Sequence, residues 1–281
     1  MRETLLDWYA GAARDLPWRR ASTGPWGVLV SEFMLQQTPV ARVLPVWDVW
    51  LDRWPTAGAL AGDSVGEAIR AWGRLGYPRR AQRLHAAAGD IVERFGGDVP
   101  SSYDDLLTLP GVGGYTARAV RAFGFGAHDV PLDTNVRRVL ARVYDAAADV
   151  TALAPSRAEQ QRADDLADAS GGVGAALMEL GALVCAARAP RCAACPVSSR
   201  CGWRAAGFPV GVAKVGQSYA GTDRQARGAL LGVLRDAPGR VDAEALARAW
   251  GPAEQRARAL AGLIADGLAV GDDRSGYALP T

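Results

Sequence analysis

All four cysteines of this 281-residue chain, Cys185, Cys192, Cys195 and Cys201, lie within 17 residues in the spacing C-x6-C-x2-C-x5-C. Thiols so near in sequence close one small loop around one centre, and that fixes the local chain path whatever the rest does. Such a set can hold tetrahedral zinc or a [4Fe–4S] cluster. A disulfide pair is the plain alternative, but nothing in the chain points to an oxidising compartment. Zinc sites usually pair two short knuckles across a longer insert, and only one C-x2-C is present here. On chemistry alone the centre is a metal ion or a cluster, with iron–sulfur and zinc both open. The loop is also basic. Arg188, Arg191, Arg200 and Arg204 stand between Cys185 and Ala205 with no acidic residue. Part of that charge offsets the thiolates, and the rest reads as a phosphate-facing surface.

A chain of this length, 49% hydrophobic, is globular and long enough for two or three compact units. No uncharged apolar run is long enough for a membrane span, and residues 1–18 lack a signal-peptide layout. A cytoplasmic, monomeric protein is expected. The net charge is only +2, a weak ground for nucleic-acid binding. Of the 32 basic residues 31 are Arg, and Lys214 is the only lysine. That excludes Schiff-base chemistry from the middle of the chain.

Almost every periodic segment repeats at helical spacing. Helices are expected at about 1–14, 27–38, 40–53, 64–72, 78–95, 102–107, 114–124, 133–145, 156–169, 173–184 and 198–206, with prolines punctuating them. Residues 207–221 are Gly-rich and read as a linker. The tail, 222–281, offers helices at about 223–236, 242–250 and 252–267, then a hairpin from Leu268 to Leu279. Three helices and a hairpin resemble a winged-helix module; a small helical cap is the plain alternative. The tail's eight basic and eight acidic residues cancel, which does not favour strong DNA binding.

Residues 109–117 read Leu-Pro-Gly-Val-Gly-Gly-Tyr-Thr-Ala, the hairpin of a helix-hairpin-helix. Gly111, Gly113 and Gly114 permit backbone conformations barred to other residues. Successive N–H groups at the start of the next helix can then face a phosphate. A plain helix–helix turn is the alternative, and the length of the string argues against it. Asp133, in Leu132-Asp133-Thr134-Asn135-Val136, stands about 20 residues on. By itself it would read as a helix N-cap.

Together these features resemble the endonuclease III/MutY family of DNA glycosylases. The hairpin with Asp133 matches that family's helix-hairpin-helix–Gly/Pro–Asp signature. The cysteine spacing, with Pro196 after the third cysteine, matches its cluster loop. The resemblance spans about residues 8–206 and narrows to the MutY-type adenine glycosylases. The segment Ser31-Glu32-Phe33-Met34-Leu35-Gln36-Gln37-Thr38 is similar to the one carrying their catalytic acid. Leu16-Pro17-Trp18-Arg19, Leu75-Gly76-Tyr77 and Met178-Glu179-Leu180-Gly181-Ala182 match too. Tyr115 stands where the endonuclease III branch has its attacking lysine.

The resemblance implies an all-α helix-hairpin-helix glycosylase fold with a small C-terminal winged-helix-like α+β module. Its layout is a six-helix barrel over 18–126, a cluster domain from 1–17 and 127–206, the linker 207–221 and the module 222–281. It also implies a [4Fe–4S] cluster on the four cysteines. The substrate would be double-stranded DNA with adenine opposite 8-oxoguanine or guanine. Glu32 would protonate the flipped adenine. Asp133 would stabilise the oxocarbenium-like sugar or form a transient covalent adduct, with Tyr115 and Asn135 helping to position these groups. Gln37 and Thr38 would face the opposite base, Leu75 and Tyr77 would wedge into the stack, and Trp18 and Arg19 would line the adenine pocket. Gly111, Gly113 and Thr116 would hold the phosphate backbone. On helical spacing Glu32 has Val28, Leu29 and Leu35 as neighbours, so its pKa should rise. Asp133, at a helix N-terminus, should stay ionised.

The chain departs from the family in three places. Pro78 follows Tyr77 where a second aromatic is usual, and residues 174–176 are Gly-Ala-Ala. No Ser-His pair exists anywhere, and the tail is too short and too helical for the Nudix-like domain that reads 8-oxoguanine in relatives. The tail could instead seat a protein partner. Two rivals stand beside this reading. One is a thymine-mismatch or oxidised-pyrimidine glycosylase on the same scaffold. The other is a non-catalytic iron–sulfur regulator with a winged-helix tail. His85 and His128 have no partner pattern and read as structural or exposed.

Overall fold

Helical periodicity is realised along the chain in the computed structural model, which describes residues 1–167, 172–211 and 219–281. Residues 212–218 of the expected linker, Lys214 among them, lie outside the described residues, as do the last two positions of the helix expected at 156–169. By compactness the chain divides into two units. The first comprises Met1–Leu29, Ser101–Thr108 and Val112–Lys214; the second comprises Val30–Pro100, Leu109–Gly111 and Val215–Thr281.

The first unit carries α1 (Arg2–Ala12), the start of α2 (Gly24–Leu35), α7 (Tyr103–Thr108), α8 (Gly114–Phe125), α9 (Thr134–Tyr144), α10 (Arg157–Asp164), α11 (Gly172–Leu183) and the short α12 (Gly202–Ala205). Its core gathers Leu5 from α1, Val136, Val139 and Leu140 from α9, and Val173, Leu177 and Leu180 from α11. α9 and α11 are buried on nearly all sides, so they form the centre of this unit. Val184 and Val197 bring the cysteine loop against the same core.

The second unit holds the rest of α2, then α3 (Val40–Arg53), α4 (Ala57–Ala61), α5 (Val65–Trp72) and α6 (Arg79–Phe95). Trp50, Trp54 and Trp72 pack edge to face at centroid distances of 4.6 and 5.6 Å, a geometry that their ring quadrupoles favour. The tail belongs to this unit, with α13 (Asp223–Asp236), α14 (Ala243–Ala249), α15 (Ala253–Ala265) and an antiparallel pair, β1 (Val270–Asp272) and β2 (Gly276–Ala278). Val241 also bridges to Tyr277. The three helices and hairpin read from the tail's sequence are therefore present.

Four elements differ from the expected ones. The short α4 is not among the expected helices, and the helix expected over 156–169 ends at Asp164. The helix expected over 27–38 ends at Leu35. Pro39 disfavours helical backbone at Thr38, and Gln37 takes a left-handed φ of 54°. The helix expected over 198–206 is broken into a 3-10 turn, Ser198–Arg200, and the four-residue α12. Cys201 lies at the break in extended backbone, which keeps its thiol in the loop.

Candidate active site and cysteine loop

In the first unit Asp133 caps α9: its Oδ1 accepts the Val136 N–H at 2.6 Å. Its Oδ2 accepts from Asn135 Nδ2 at 2.8 Å. Burial nevertheless pushes the Asp133 pKa upward; the two hydrogen bonds and the Arg138 charge act against it without cancelling it. The expectation that helix amides alone keep this carboxyl ionised therefore left out the cost of burial. Asn135 Oδ1 in turn accepts from Arg138 Nη2 at 2.8 Å. The same guanidinium donates to Gly181 O at 2.7 Å and, through Nε, to Cys185 O at 2.8 Å. An unbroken hydrogen-bond chain thus runs from the Asp133 carboxylate to the backbone of the first cysteine.

The upstream segment is anchored on Glu179, which has no exposure at all. It accepts the Arg14 backbone N–H at 3.1 Å, Arg14 Nε at 2.6 Å and Arg14 Nη2 at 3.0 Å. Arg19 Nη1 lies 2.9 Å away as an ion pair. Burial works to raise the Glu179 pKa, but Arg14 and Arg19 outweigh it and hold the carboxyl below its ordinary value. Trp18 is buried beside this segment. Arg19 is therefore committed to Glu179, with its guanidinium 5.9 Å from the Tyr9 ring centroid.

The hairpin has the properties its glycines require. Gly111 takes φ of 84°, and a Cβ there would meet Phe33 Cε1 at 2.8 Å and Arg83 Cβ at 2.9 Å. Gly113 is the N-cap of α8 and supplies no side chain to the first-turn N–H groups. Such a terminus favours an anion. Thr116 is buried at 3%, so its side chain belongs to the packing of α8, while Tyr115 is partly exposed.

In the second unit Glu32 is 6% exposed on α2. Beyond that helix, Gln37 is exposed and Thr38 buried. Thr38 Oγ1 donates to Leu75 O at 3.1 Å. Leu75 itself is 3% exposed, whereas Tyr77 is 51% exposed. Of the two expected wedge residues, only Tyr77 is at the surface.

The four cysteines form no disulfide. They line one cavity together with Arg142 and Trp203. Arg142 Nη1 donates to Cys185 Sγ at 3.3 Å and to Ala186 O at 2.9 Å. Its guanidinium lies 4.4 Å from the Trp203 ring centroid. Burial pushes the Cys195 thiol up, and Cys185, Cys201 and Cys192 push the same way. Among the described residues, no three Cys, His, Asp or Glu side chains converge to hold a single metal ion. His85 Nε2 pairs with Asp63 O at 2.8 Å and His128 is exposed; neither joins the site.

Sequence reasoning missed Arg14, Arg80, Arg138 and Arg142. Only Arg138 gave a signal, since it stands three residues after Asn135 on a helix, a spacing that brings side chains together.

Residues 30–162 match the model of the HhH-GPD superfamily of base excision DNA repair proteins. The chain is 53% identical over 277 residues to an adenine DNA glycosylase of Mycolicibacterium smegmatis, covering 94% of this chain and 90% of that protein. It is 41% identical over 210 residues to the adenine DNA glycosylase of Homo sapiens, covering 71% of this chain and 38% of the human one. Among solved structures, a thermostable thymine-DNA glycosylase superposes with a TM-score of 0.67 at 27% identity, over 73% of this chain and 95% of that one. An endonuclease III in a non-covalent DNA complex shares the fold, with a TM-score of 0.61 at 22% identity over 73% of this chain and 94% of that one.

Proposed function

The chain belongs to the adenine DNA glycosylases of the HhH-GPD superfamily, and we propose that its substrate is adenine paired with 8-oxoguanine or guanine in duplex DNA. As a DNA N-glycosylase it breaks the bond between base and sugar. The observation that carries the mechanistic reading is the Asp133 carboxylate, whose two oxygens accept from Val136 N–H and Asn135 Nδ2. Held this way it suits a fixed negative charge, and Glu32, 6% exposed on α2, is the proton donor of this reading.

In this reading the adenine nucleotide is flipped out and Glu32 gives a proton to adenine N7. The C1′–N9 bond then breaks, with its electron pair leaving on the base. Asp133 holds the positive charge that develops on the sugar. Water adds its oxygen to C1′, releases a proton to a carboxylate and leaves an abasic site. Asn135 fixes the Asp133 carboxyl, and Tyr115 offers no amine for a covalent imine. Gln37 faces the opposite base, with the buried Thr38 fixed behind it by its bond to Leu75 O, and Tyr77 enters the stack. Trp18 and Arg19 border the adenine pocket. Gly111, Gly113 and the first-turn backbone N–H groups of α8, that of Thr116 included, hold a phosphate.

Cys185, Cys192, Cys195 and Cys201 would hold a [4Fe–4S] cluster, which when bound ties the basic loop together and breaks no bond itself. The four thiols lining one cavity, in a chain of this superfamily, support this reading. Protein purified without oxygen should be brown and carry about four irons per chain. One zinc per chain would overturn this part alone.

The test is single-turnover base release from A:8-oxoguanine, A:G, T:G and thymine-glycol duplexes, with and without alkali. Adenine alone should leave, and the strand should break only after alkali. Glu32→Gln should slow release by about 100-fold or more with duplex binding retained. Efficient borohydride trapping, or release of thymine, would overturn the reading in favour of another glycosylase on this scaffold.

A further inference from the structure

Arg80 lies in the first turn of α6 and is only 5% exposed. Nη1 donates to Phe33 O at 2.8 Å, Met34 O at 2.9 Å and Gln36 O at 2.6 Å. Nη2 donates to Thr38 Oγ1 at 2.9 Å, Leu75 O at 3.3 Å and Gly76 O at 2.9 Å. All six acceptors are neutral oxygens. Three come from the end of α2, where carbonyls lack helical partners and a cation is favoured. The other three come from Thr38 and the 75–76 turn. The guanidinium also lies 5.2 Å from the Trp72 ring centroid and 5.5 Å from that of Tyr77. Trp72 Nε1 adds a bond to Gly76 O at 3.0 Å.

The two segments joined this way each contain a strained residue. Gln37 has φ of 54° and Tyr77 has φ of 46°, values uncommon for a residue with a Cβ, which persist only where the surroundings over-determine them. Gln37 lies between two residues bound by Arg80, and Tyr77 directly follows one. Both are exposed, although the backbone around them is fixed from within.

We propose that Arg80 is a positioning residue for mismatch recognition: its guanidinium clamps the 36–38 and 75–77 segments into the one arrangement that presents Gln37 and Tyr77 to the duplex. This rests on the reading of Gln37 and Tyr77 as mismatch-facing. The flat guanidinium fork serves two loops at once. A lysine ammonium, with three donors on one nitrogen, cannot reach both sets. Burial lowers the Arg80 pKa to about 10, so it is charged at neutral pH.

The experiment uses the full chain and two duplexes. One carries an uncleavable 2′-fluoro-deoxyadenosine opposite 8-oxoguanine, and the other is fully paired. The ratio of affinities is the readout, with 2-aminopurine placed next to the target position reporting base flipping by its fluorescence. Arg80→Lys should lower the ratio at least tenfold and weaken the fluorescence change, while affinity for the paired duplex stays within about twofold. Gly66→Ala, which perturbs packing in the same unit without touching either segment, should keep the wild-type ratio. Where Arg80→Lys does not fold, Thr38 decides. Thr38→Val, which lacks the hydroxyl, should lower the ratio, and Thr38→Ser should keep it. A wild-type ratio in Arg80→Lys, an equal fall in Gly66→Ala, or identical behaviour of the two Thr38 variants would overturn the proposal. A wild-type protein with a ratio near one would instead overturn the reading of Gln37 and Tyr77, and this proposal with it.

Discussion

Glu179 has no exposed surface, so its charge is tolerated only because Arg14 and Arg19 surround it. Its folded pKa is lowered below the unfolded value. The stability it contributes is therefore fully present above the unfolded carboxyl pKa, roughly 4.3, and is lost as pH falls through the folded value. Glu179→Gln keeps the shape and removes the charge. It should cost about 2 kcal/mol at neutral pH, the scale of a charged hydrogen bond. Thermal unfolding of the two proteins should differ at pH 7 and converge in acid; a constant difference would count against the linkage. Asp133 behaves oppositely. Burial raises its pKa and Asn135 Nδ2 resists that rise. Removing the donor, as in Asn135→Ala, should raise the Asp133 pKa further. Ionised Asp133 is the form the proposed reaction needs, so the acid limb of the single-turnover pH profile should move to higher pH. An unmoved limb with only a lower plateau would assign Asn135 to packing alone.

At the scale of elements, α9 is set by its approach to α11. Gly181 sits on α11, and a Cβ there would meet Asn135 Cβ at 2.6 Å and Asn135 O at 2.9 Å. Gly181→Ala should push the first turn of α9 outward, cost about 1–3 kcal/mol as overpacking does, and slow base release because Asp133 and Asn135 move with that turn. Calorimetry and single-turnover rates check the two parts; a stable but slow variant would separate positioning from stability. How much was legible in sequence follows from the same contacts. The helices were visible because apolar spacing and prolines act locally, and Gly111 because its turn demands left-handed backbone. The role of Gly181 was hidden, since only the packed pair shows why a side chain is excluded. Arg80 was hidden for another reason. Five of its six acceptors are backbone carbonyls, which carry no sequence signal, and it is one arginine among 31. Leu75 was read as surface wedge from its motif, whereas its side chain is buried and only its carbonyl is used. The end of α2 at Leu35 has a local signal in Pro39, but the Arg80 bonds that hold the carbonyls there come from 44–47 residues away, beyond any local window.

At the scale of the molecule, residues 222–281 are tied into the second unit by three seams. Arg70 donates to Arg235 O and, at 2.9 Å, to Ala237 O, while Arg235 Nε donates to Ile69 O at 2.9 Å. The arginines thus cap each other's helix ends, on α5 and α13, where orphan carbonyls favour a cation. Arg235 is buried enough to lower its pKa to about 10 and so keeps its charge at neutral pH. Gln82 Nε2 donates to Asp266 O and Gly267 O at 3.2 and 2.7 Å, and Arg79 pairs with Asp266 at 3.4 Å, all on the first turn of α6. The third seam is Gly66, in the first turn of α5, whose missing side chain leaves room for the Pro280 carbonyl. A Cβ there collides with backbone, which cannot rotate away, and alanine gains little helix propensity at so early a position. Gly66→Ala should therefore cost about 2 kcal/mol, lowering the unfolding midpoint by roughly 4–8 °C. Removing Pro280 and Thr281 should restore most of that loss in Gly66→Ala while destabilising the wild-type chain. A brace of this kind does not need to read a base. The tail's charges cancel and it has no histidine, so the rate ratio between A:8-oxoguanine and A:G should be the same in Gly66→Ala as in the wild type. A fall of more than tenfold, about 1.4 kcal/mol, would instead place discrimination of the opposite base in the tail.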